Sequence, residues 1–312
     1  MIKYILLFLL PVVMMPAVTP AQTTFAGSEV IGKWNLTIQT DQGESPAWIE
    51  IKGSGLSTMV GYYVGSGGSA RPISEIKYSE EKQLYSFSIP PQWEPLDSDL
   101  EFEFELNNDG LAGTTQKGGE ILHWTGVRAP DLTRSETPVW GDPVNLLDES
   151  MTKWNTAENN QFQMEGDVMV NKEGGGNLVS KEEYDDFNIQ LEYRLPEGSN
   201  SGVYLRGRYE VQIIDDYGLK TNNVLNSSIY GFIAPNANVS KKANEWQTLE
   251  VTLIGRMVTV VSNGVEVITN RPIPGPTGGA IDNDEENPGP IKIQGDHGPV
   301  EFRNMIITPS LN

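Results

Sequence analysis

From Gly27 to Ala129, apolar residues recur at every second position in short segments separated by turns. Trp34, Leu36 and Ile38 share one side of the first segment. Glu101-Phe102-Glu103-Phe104-Glu105-Leu106 is the plainest, with an apolar residue at each second step. Such a period sends successive side chains to opposite faces and predicts half-buried antiparallel strands. About eight of these segments, at roughly 8 to 12-residue spacing, predict a small closed barrel or sandwich.

The alternation stops over Pro130 to Pro143, PDLTRSETPVWGDP, which has the composition of a linker. It then resumes. Phe187, Ile189, Leu191 and Tyr193 alternate with Asn188, Gln190, Glu192 and Arg194, an amphipathic strand. Glu245 to Leu253 and Met257 to Ile268 form a pair around Gly255-Arg256, with Asn263-Gly264 as a tight turn inside the second segment. Ile291 to Gln294 and Val300 to Thr308 close the chain.

One stretch departs from the usual pattern. In Asn200 to Asp216, Tyr204, Arg206, Glu210 and Gln212 fall at strand spacing on one face, while Val211 and Ile213 take the other. A face carrying Tyr, Arg, Glu and Gln is a poor core, but it suits the floor of a sugar site.

Composition adds fold class and address. With 32 Gly and 20 Pro and few helix-like periodic runs, the 312-residue chain reads as all-β, and its length exceeds what one core usually fills. Residues 1–21 read as a secretory signal: Lys3, an apolar run from Ile5 to Val13, and Thr19-Pro20-Ala21 before the cleavage point. Pro11 and Pro16 break that run short of the roughly 20 residues a span needs, so no membrane span is expected after cleavage. The expected address is bacterial, periplasmic or extracellular. The chain has no cysteine, hence neither disulfides nor a lipidated Cys. A net charge of −20 repels phosphate backbones and argues against nucleic acid as partner.

Two resemblances sharpen this outline. Gly32-Lys33-Trp34 resembles the opening of lipocalin-like barrels, in which the Trp closes one end. Tyr62, Tyr63, Trp93 and Trp124 are then core or rim aromatics, or the lining of a ligand surface. The second resemblance rests on several motifs in one order: Leu146 to Trp154, Glu182-x-Tyr184-x-Asp186-Phe187, Asn200-Ser201-Gly202-Val203-Tyr204, Tyr209-Glu210-Val211-Gln212, Ile229-Tyr230-Gly231, Asn244-Glu245-Trp246, Gln294-Gly295-Asp296-His297-Gly298 and Phe302-Arg303-Asn304. Over about residues 140 to 309 the chain resembles the 3-keto-disaccharide hydrolase family. That resemblance implies a concanavalin-like jelly roll, whose concave sheet forms a carbohydrate cleft, and cleavage of 3-keto-glycosides. The expected organisation is a signal peptide at 1–21, a barrel at 27–129, a linker at 130–143 and a jelly roll at 144–309.

A ketone at C3 of a pyranose acidifies the C2 proton and places the C1 oxygen β to the carbonyl, so elimination followed by hydration gives net hydrolysis. The chemistry needs a base, a cation or donor for the enolate oxygen, and help for the leaving group. His297, flanked by Asp296, is the expected base, with a hydrogen-bonded turn histidine as the plainer reading. Arg206 is expected to grip the ketone oxygen, with an ion pair in the sheet as its alternative. Glu210 serves as acid or base, or joins a divalent cation that polarises the carbonyl; no organic cofactor is expected. Gln212 and Gln294 hydrogen-bond hydroxyls, Tyr204 and Tyr230 stack or donate, and Lys242 reaches in from the loop before Trp246, unless it is simply solvated. Glu210-x-Gln212 lacks the second carboxylate of retaining glucanases, which weakens conventional two-carboxylate hydrolysis. A non-catalytic carbohydrate-binding module is the alternative of another class. The acidic run Asp282 to Asn287 lacks calcium-loop spacing and reads as a solvated loop.

Overall fold

The structure, a computed structural model, describes residues 25–108 and 110–312; the signal segment 1–21 and Asp109 lie outside the described residues. Among them no helix is long and apolar enough to cross a membrane.

Alternation closes the first eight strands into an antiparallel barrel: β1 (Gly32–Thr40), β2 (Gly43–Ser54), β3 (Thr58–Val64), β4 (Arg71–Ser79), β5 (Leu84–Ile89), β6 (Leu100–Asn107), β7 (Gly110–Lys117) and β8 (Glu120–Arg128), with β8 pairing back onto β1. Phe102 and Phe104 point inward, while Glu101, Glu103 and Glu105 face water. The interior is a packed aromatic stack, Phe87 on Phe102 at 4.4 Å between centroids and Tyr85 on Phe104 at 4.9 Å. At one end Trp34 closes the barrel: its Nε1 donates to Val30 O at 2.8 Å, and the Arg128 guanidinium lies 3.8 Å over the ring.

The remaining strands build a jelly-roll sandwich. Its five-stranded sheet runs in the order β10 (Trp154–Thr156), β13 (Leu178–Tyr184), β20 (Gly289–Ile293), β15 (Asn200–Leu205) and β16 (Tyr209–Ile214). The facing eight-stranded sheet orders β11 (Phe162–Glu165), β12 (Val168–Asn171), β21 (Val300–Pro309), β14 (Phe187–Arg194), β17 (Gln247–Ile254), β18 (Met257–Ser262) and β19 (Val265–Pro272), with β9 (Val144–Asn145) pairing β21. Between the sheets lie Ile189, Leu191, Tyr193, Val251 and Phe302 from one side and Val203, Val211, Ile213, Ile291 and Ile293 from the other. Each such fully buried aliphatic side chain contributes on the order of 1.5–3 kcal/mol. Together they fix the five-stranded sheet from below, so its other face can carry polar groups.

Residues 130–143 are strapped to the sandwich rather than free. Arg134 pairs with Asp185 at 2.8 Å and Asp186 at 3.0 Å, Arg256 Nη1 donates to Pro130 O at 3.1 Å, and Gly141 N donates to Pro309 O at 2.8 Å. The barrel is docked as well. Trp48 on β2 is buried, its Nε1 donating to Pro276 O at 2.7 Å and its ring 5.7 Å from Phe232. Asn35 Nδ2 donates to Asn283 O at 2.9 Å, and Asn283 Nδ2 returns a bond to Leu36 O at 2.6 Å.

The expectation of a solvated loop at Asp282 to Asn287 holds for Asp284, Glu286 and Asn287, which are exposed, and is corrected at Glu285. Glu285 is 1% exposed, salt-bridged to Arg256 at 2.6 Å, and accepts from Tyr209 Oη at 2.6 Å and from Asn35 Nδ2 at 3.1 Å. A carboxylate in that position is stable only because its charge and lone pairs are satisfied, and here partners from both the sandwich and the barrel satisfy them.

Candidate active site

Strand parity writes the site in rows across the five-stranded sheet. Lys292 on β20 pairs with Tyr204 on β15, and Tyr204 pairs with Glu210 on β16. One step along, Gly202 sits between Gln212 on β16, its register partner, and Gln294, whose N–H donates to Gly202 O at 2.9 Å. All these positions lie opposite in parity to Val203, Val211 and Ile293 and so face away from the core. Lys292, Tyr204, Glu210, Gln212 and Gln294 line a cleft of about 440 Å³ together with Asn177, Asn200, Tyr230, Asp296 and His297.

Glycine makes the arrangement possible. A Cβ on Gly202 would lie 2.4 Å from Glu210 Oε1, so the bare glycine is the space into which Glu210 folds. The Glu210 backbone is held by Thr277 Oγ1, which accepts its N–H at 2.9 Å. Burial pushes the Glu210 carboxyl up to about 8, outweighing the opposing effects of the Tyr204 hydroxyl and Lys292. Lys292 is moved the other way: burial lowers its ammonium from the ordinary range, and Glu210 and Asp296 oppose that shift. Lys292 Nζ lies 4.2 Å from the Tyr204 ring centroid and donates to Gly279 O at 2.7 Å. The Tyr204 hydroxyl donates to Gly278 O at 3.2 Å and lies within reach of Glu210.

At the rim, His297 Nδ1 bonds Asp296 Oδ1 at 2.6 Å, and both side chains are about half exposed. A carboxylate on Nδ1 orients an imidazole and leaves Nε2 to exchange protons with a ligand. Between floor and rim, Gln212 Oε1, Gln294 Oε1 and Asn200 Oδ1 are buried without a protein partner. Buried acceptors of this kind are expensive unless a ligand or solvent donor meets them, and hydroxyl-rich ligands supply such donors.

Two expected site residues are elsewhere. Arg206 is fully buried beneath the sheet end: its Nε donates to Asp185 O at 3.0 Å, its Nη1 to Glu285 O at 3.3 Å, and its Nη2 pairs with the Asp185 carboxylate. Strand β15 ends at Leu205, and Arg206 enters the turn with φ +52°, so the alternation that put it beside Tyr204 no longer applies. Lys242 lies out on its loop with Nζ 5.8 Å from the Tyr217 ring centroid, outside the cleft lining. The cation in the cleft is Lys292, which sequence reasoning passed over; its signal was a lone Lys inside the apolar run Pro290-Ile291-Lys292-Ile293. Among the described residues no three His, Cys, Asp or Glu side chains converge as a metal ligand set.

One wall of the cleft comes from the barrel. Ser66, Gly67, Gly68, Ser69 and Trp93 belong to the lining, and Gly279 N donates to Ser66 O at 2.8 Å. A Cβ on Gly278 would fall 2.2 Å from Gly68 O, and one on Gly231 would fall 2.7 Å from Ser69 Cβ. The β3–β4 loop thus rests on backbone that only glycine leaves uncovered.

The model of the 3-keto-alpha-glucoside-1,2-lyase-like domain matches residues 142–308, just over half the chain. The chain belongs to this family. The match contains Glu210, Lys292 and His297, and it leaves out the barrel with its cleft wall. Among solved structures, two from Parabacteroides distasonis ATCC 8503, each described as a "putative glycosyl hydrolase", resemble it. One is 27% identical over 53% of this chain and 83% of that chain, with a TM-score of 0.47; another is 23% identical over 54% and 98%, with a TM-score of 0.44. No curated protein matches the chain. Family membership makes carbohydrate chemistry the class of function.

Proposed function

We propose that the protein is an exported enzyme that cleaves 3-keto-glycosides by elimination and hydration. The observation that carries the reading is the convergence, in one cleft of unpartnered amide oxygens, of a buried protonated carboxyl, a buried ammonium and a carboxylate-oriented imidazole at Glu210, Lys292 and His297.

The roles follow from protonation. Lys292 stabilises negative charge growing on the C3 oxygen, the task first expected of Arg206. His297 Nε2 takes the C2 proton, and the electron pair left behind forms the enolate. As the enolate collapses, the C1–O bond breaks, and Glu210, protonated at neutral pH, gives its proton to the departing oxygen. Water then adds at C1: Glu210, now a carboxylate, takes a proton from the water, and the half-exposed imidazolium, having exchanged its proton with solvent, protonates C2. Both side chains end as they began, and the net change is hydrolysis. Gln212, Gln294 and Asn200 accept ring hydroxyls, and Tyr230 walls the same side. Asp296 is engaged with His297, so Glu210 has no second free carboxylate beside it for conventional retaining chemistry.

The test supplies a 3-keto-glucoside and the matching unoxidised glucoside to the purified protein in deuterated water. The expected result is aglycone release from the keto compound alone, with one solvent deuterium at C2 of the product. Equal release from both substrates, or from neither, rejects the reading; full activity in His297→Ala rejects the assignment of the base.

A further inference from the structure

A second cavity opens beside the cleft. It occupies the barrel mouth, measures about 310 Å³, and shares Ser66, Gly67 and Trp93 with the cleft lining. The two spaces are neighbours across one loop and one indole. Within the barrel mouth, two side chains more than nine-tenths buried carry polar atoms without a protein partner: Nε of Arg71, 6% exposed, and Oγ1 of Thr115, 3% exposed. These are donors without a protein acceptor, carried by residues that line the cavity.

Trp93 stands between the two spaces and is 71% exposed. Its position is built rather than incidental. Glu94 Oε2 accepts the backbone N–H groups of Gln92 at 2.9 Å and Trp93 at 3.2 Å, while the same carboxylate pairs with Arg71 at 3.2 Å. Gln92 in turn is clamped to Ser69, giving Nε2 to Ser69 Oγ at 3.0 Å and taking the Ser69 N–H at 3.0 Å. A large exposed ring on an anchored stretch of backbone, at the junction of two cavities, offers a stacking face for a ring with an apolar side and hydroxyls at its edge.

We propose that the barrel mouth is the subsite for the leaving group of the glycoside: a second hexopyranose ring that stacks on Trp93 and meets the free donors of Arg71 and Thr115, while the reacting ring lies over Glu210 and Lys292. The proposal rests on the glycoside-cleaving reading for the word "leaving", but the binding it describes needs no keto group. It gives the barrel, which lies outside the family match, the task of selecting the aglycone.

Two kinds of measurement separate this proposal from the reading it rests on. For activity, kcat/KM is compared for the 3-keto derivative of a glucosyl-glucose disaccharide and for methyl 3-keto-glucoside, whose leaving group is too small to reach the barrel. Thr115→Val, which keeps the shape and removes the unpartnered hydroxyl, and Trp93→Ala should each lower the disaccharide-to-methyl ratio by about tenfold. An unchanged ratio overturns the proposal. For binding, calorimetry with the unoxidised disaccharide and with methyl glucoside should show at least about tenfold tighter binding of the disaccharide by the wild type, lost in Trp93→Ala. If the wild type turns over neither keto compound yet keeps this preference, the cleavage reading falls and the subsite stands. If it turns over both with no preference, the subsite falls. Tighter binding of phenyl glucoside than of the disaccharide, insensitive to Thr115→Val, overturns the hexose assignment.

Discussion

Glu210 occupies the space that a side chain on Gly202 would need, with Oε1 2.4 Å from where that Cβ would stand. The two residues are register partners on β15 and β16, so the acid's position is set by what its neighbour lacks. Gly202→Ala should therefore push the carboxyl out of the cleft floor while the apolar residues on either side, Val203 and Val211, keep the sheet together. The expected outcome is a loss of kcat of tenfold or more with a stability cost of about 1–3 kcal/mol, typical of overpacking. Activity and urea denaturation of the variant check both numbers. A variant with full activity would show that Glu210 does not need this pocket.

Glu210 also makes a pH prediction. Its folded carboxyl titrates at about 8, against 4.5 as the ordinary value. Between those limits the folded protein holds more protons than the unfolded chain, so this group's contribution to stability is fully present below about pH 4.5 and is lost as pH rises to about 8. The slope is at most about 1.4 kcal/mol per pH unit. Glu210→Gln has no proton to lose and should flatten that dependence. Denaturation midpoints at pH 5, 6.5 and 8 should show the wild type losing ground to the variant as pH rises. The same variant should have no acid to give the leaving group, and wild-type kcat should decline as pH climbs past 8.

Much of this architecture was legible because alternation depends on local chain geometry. Glu101 to Leu106 and Phe187 to Arg194 became strands β6 and β14 with the faces the sequence predicted. The polar side of Asn200 to Gln212 was also readable wherever the strand was continuous, which gave Tyr204, Glu210 and Gln212. It failed at Arg206, where the strand turns and the parity rule lapses. Lys292 went unseen for a related reason: within Gly289–Ile293, all of it buried, the Lys is marked only by being charged. The barrel wall was not legible at all. Nothing local in Gly231, Gly278 or Gly279 says that a loop some 150 residues or more earlier will lie on them, since that close approach arises only when the two units dock.

The exchange of roles between Arg206 and Lys292 can be measured. Lys292→Met removes the cation facing the C3 oxygen and should lower kcat by about 10²–10³, the scale of losing one charge-stabilising donor, while the fold survives because Met fills the same slot beside Tyr204. Arg206→Met strips the pairing from Asp185 and the bonds to Asp185 O and Glu285 O. It should lower stability by about 3–5 kcal/mol, and the molecules that remain folded should keep their turnover. The opposite pattern, with Arg206→Met inactive but stable, would return the arginine to the chemistry.

Glu285 is where barrel and sandwich share a charge. Its carboxylate meets Arg256 Nη2 at 2.6 Å and Nε at 2.8 Å, accepts from Tyr209 at 2.6 Å, and takes a bond from Asn35 on β1 of the barrel. Glu285→Gln keeps the shape but leaves the Arg256 guanidinium buried without its counter-charge, which costs about 3–5 kcal/mol. Asn35→Ala removes only the barrel's share, about 1 kcal/mol on its own. The two effects should not add, because Asn35 bonds the carboxylate that Glu285→Gln neutralises, and a double-mutant cycle should return a coupling of about 0.5–1 kcal/mol or more. If docking holds the Ser66–Ser69 loop against Gly278 and Gly279, both variants should also raise the KM for a bulky keto-glycoside more than for its methyl counterpart. Additive stability losses with unchanged KM would mean that the barrel keeps its place at the cleft without this charge.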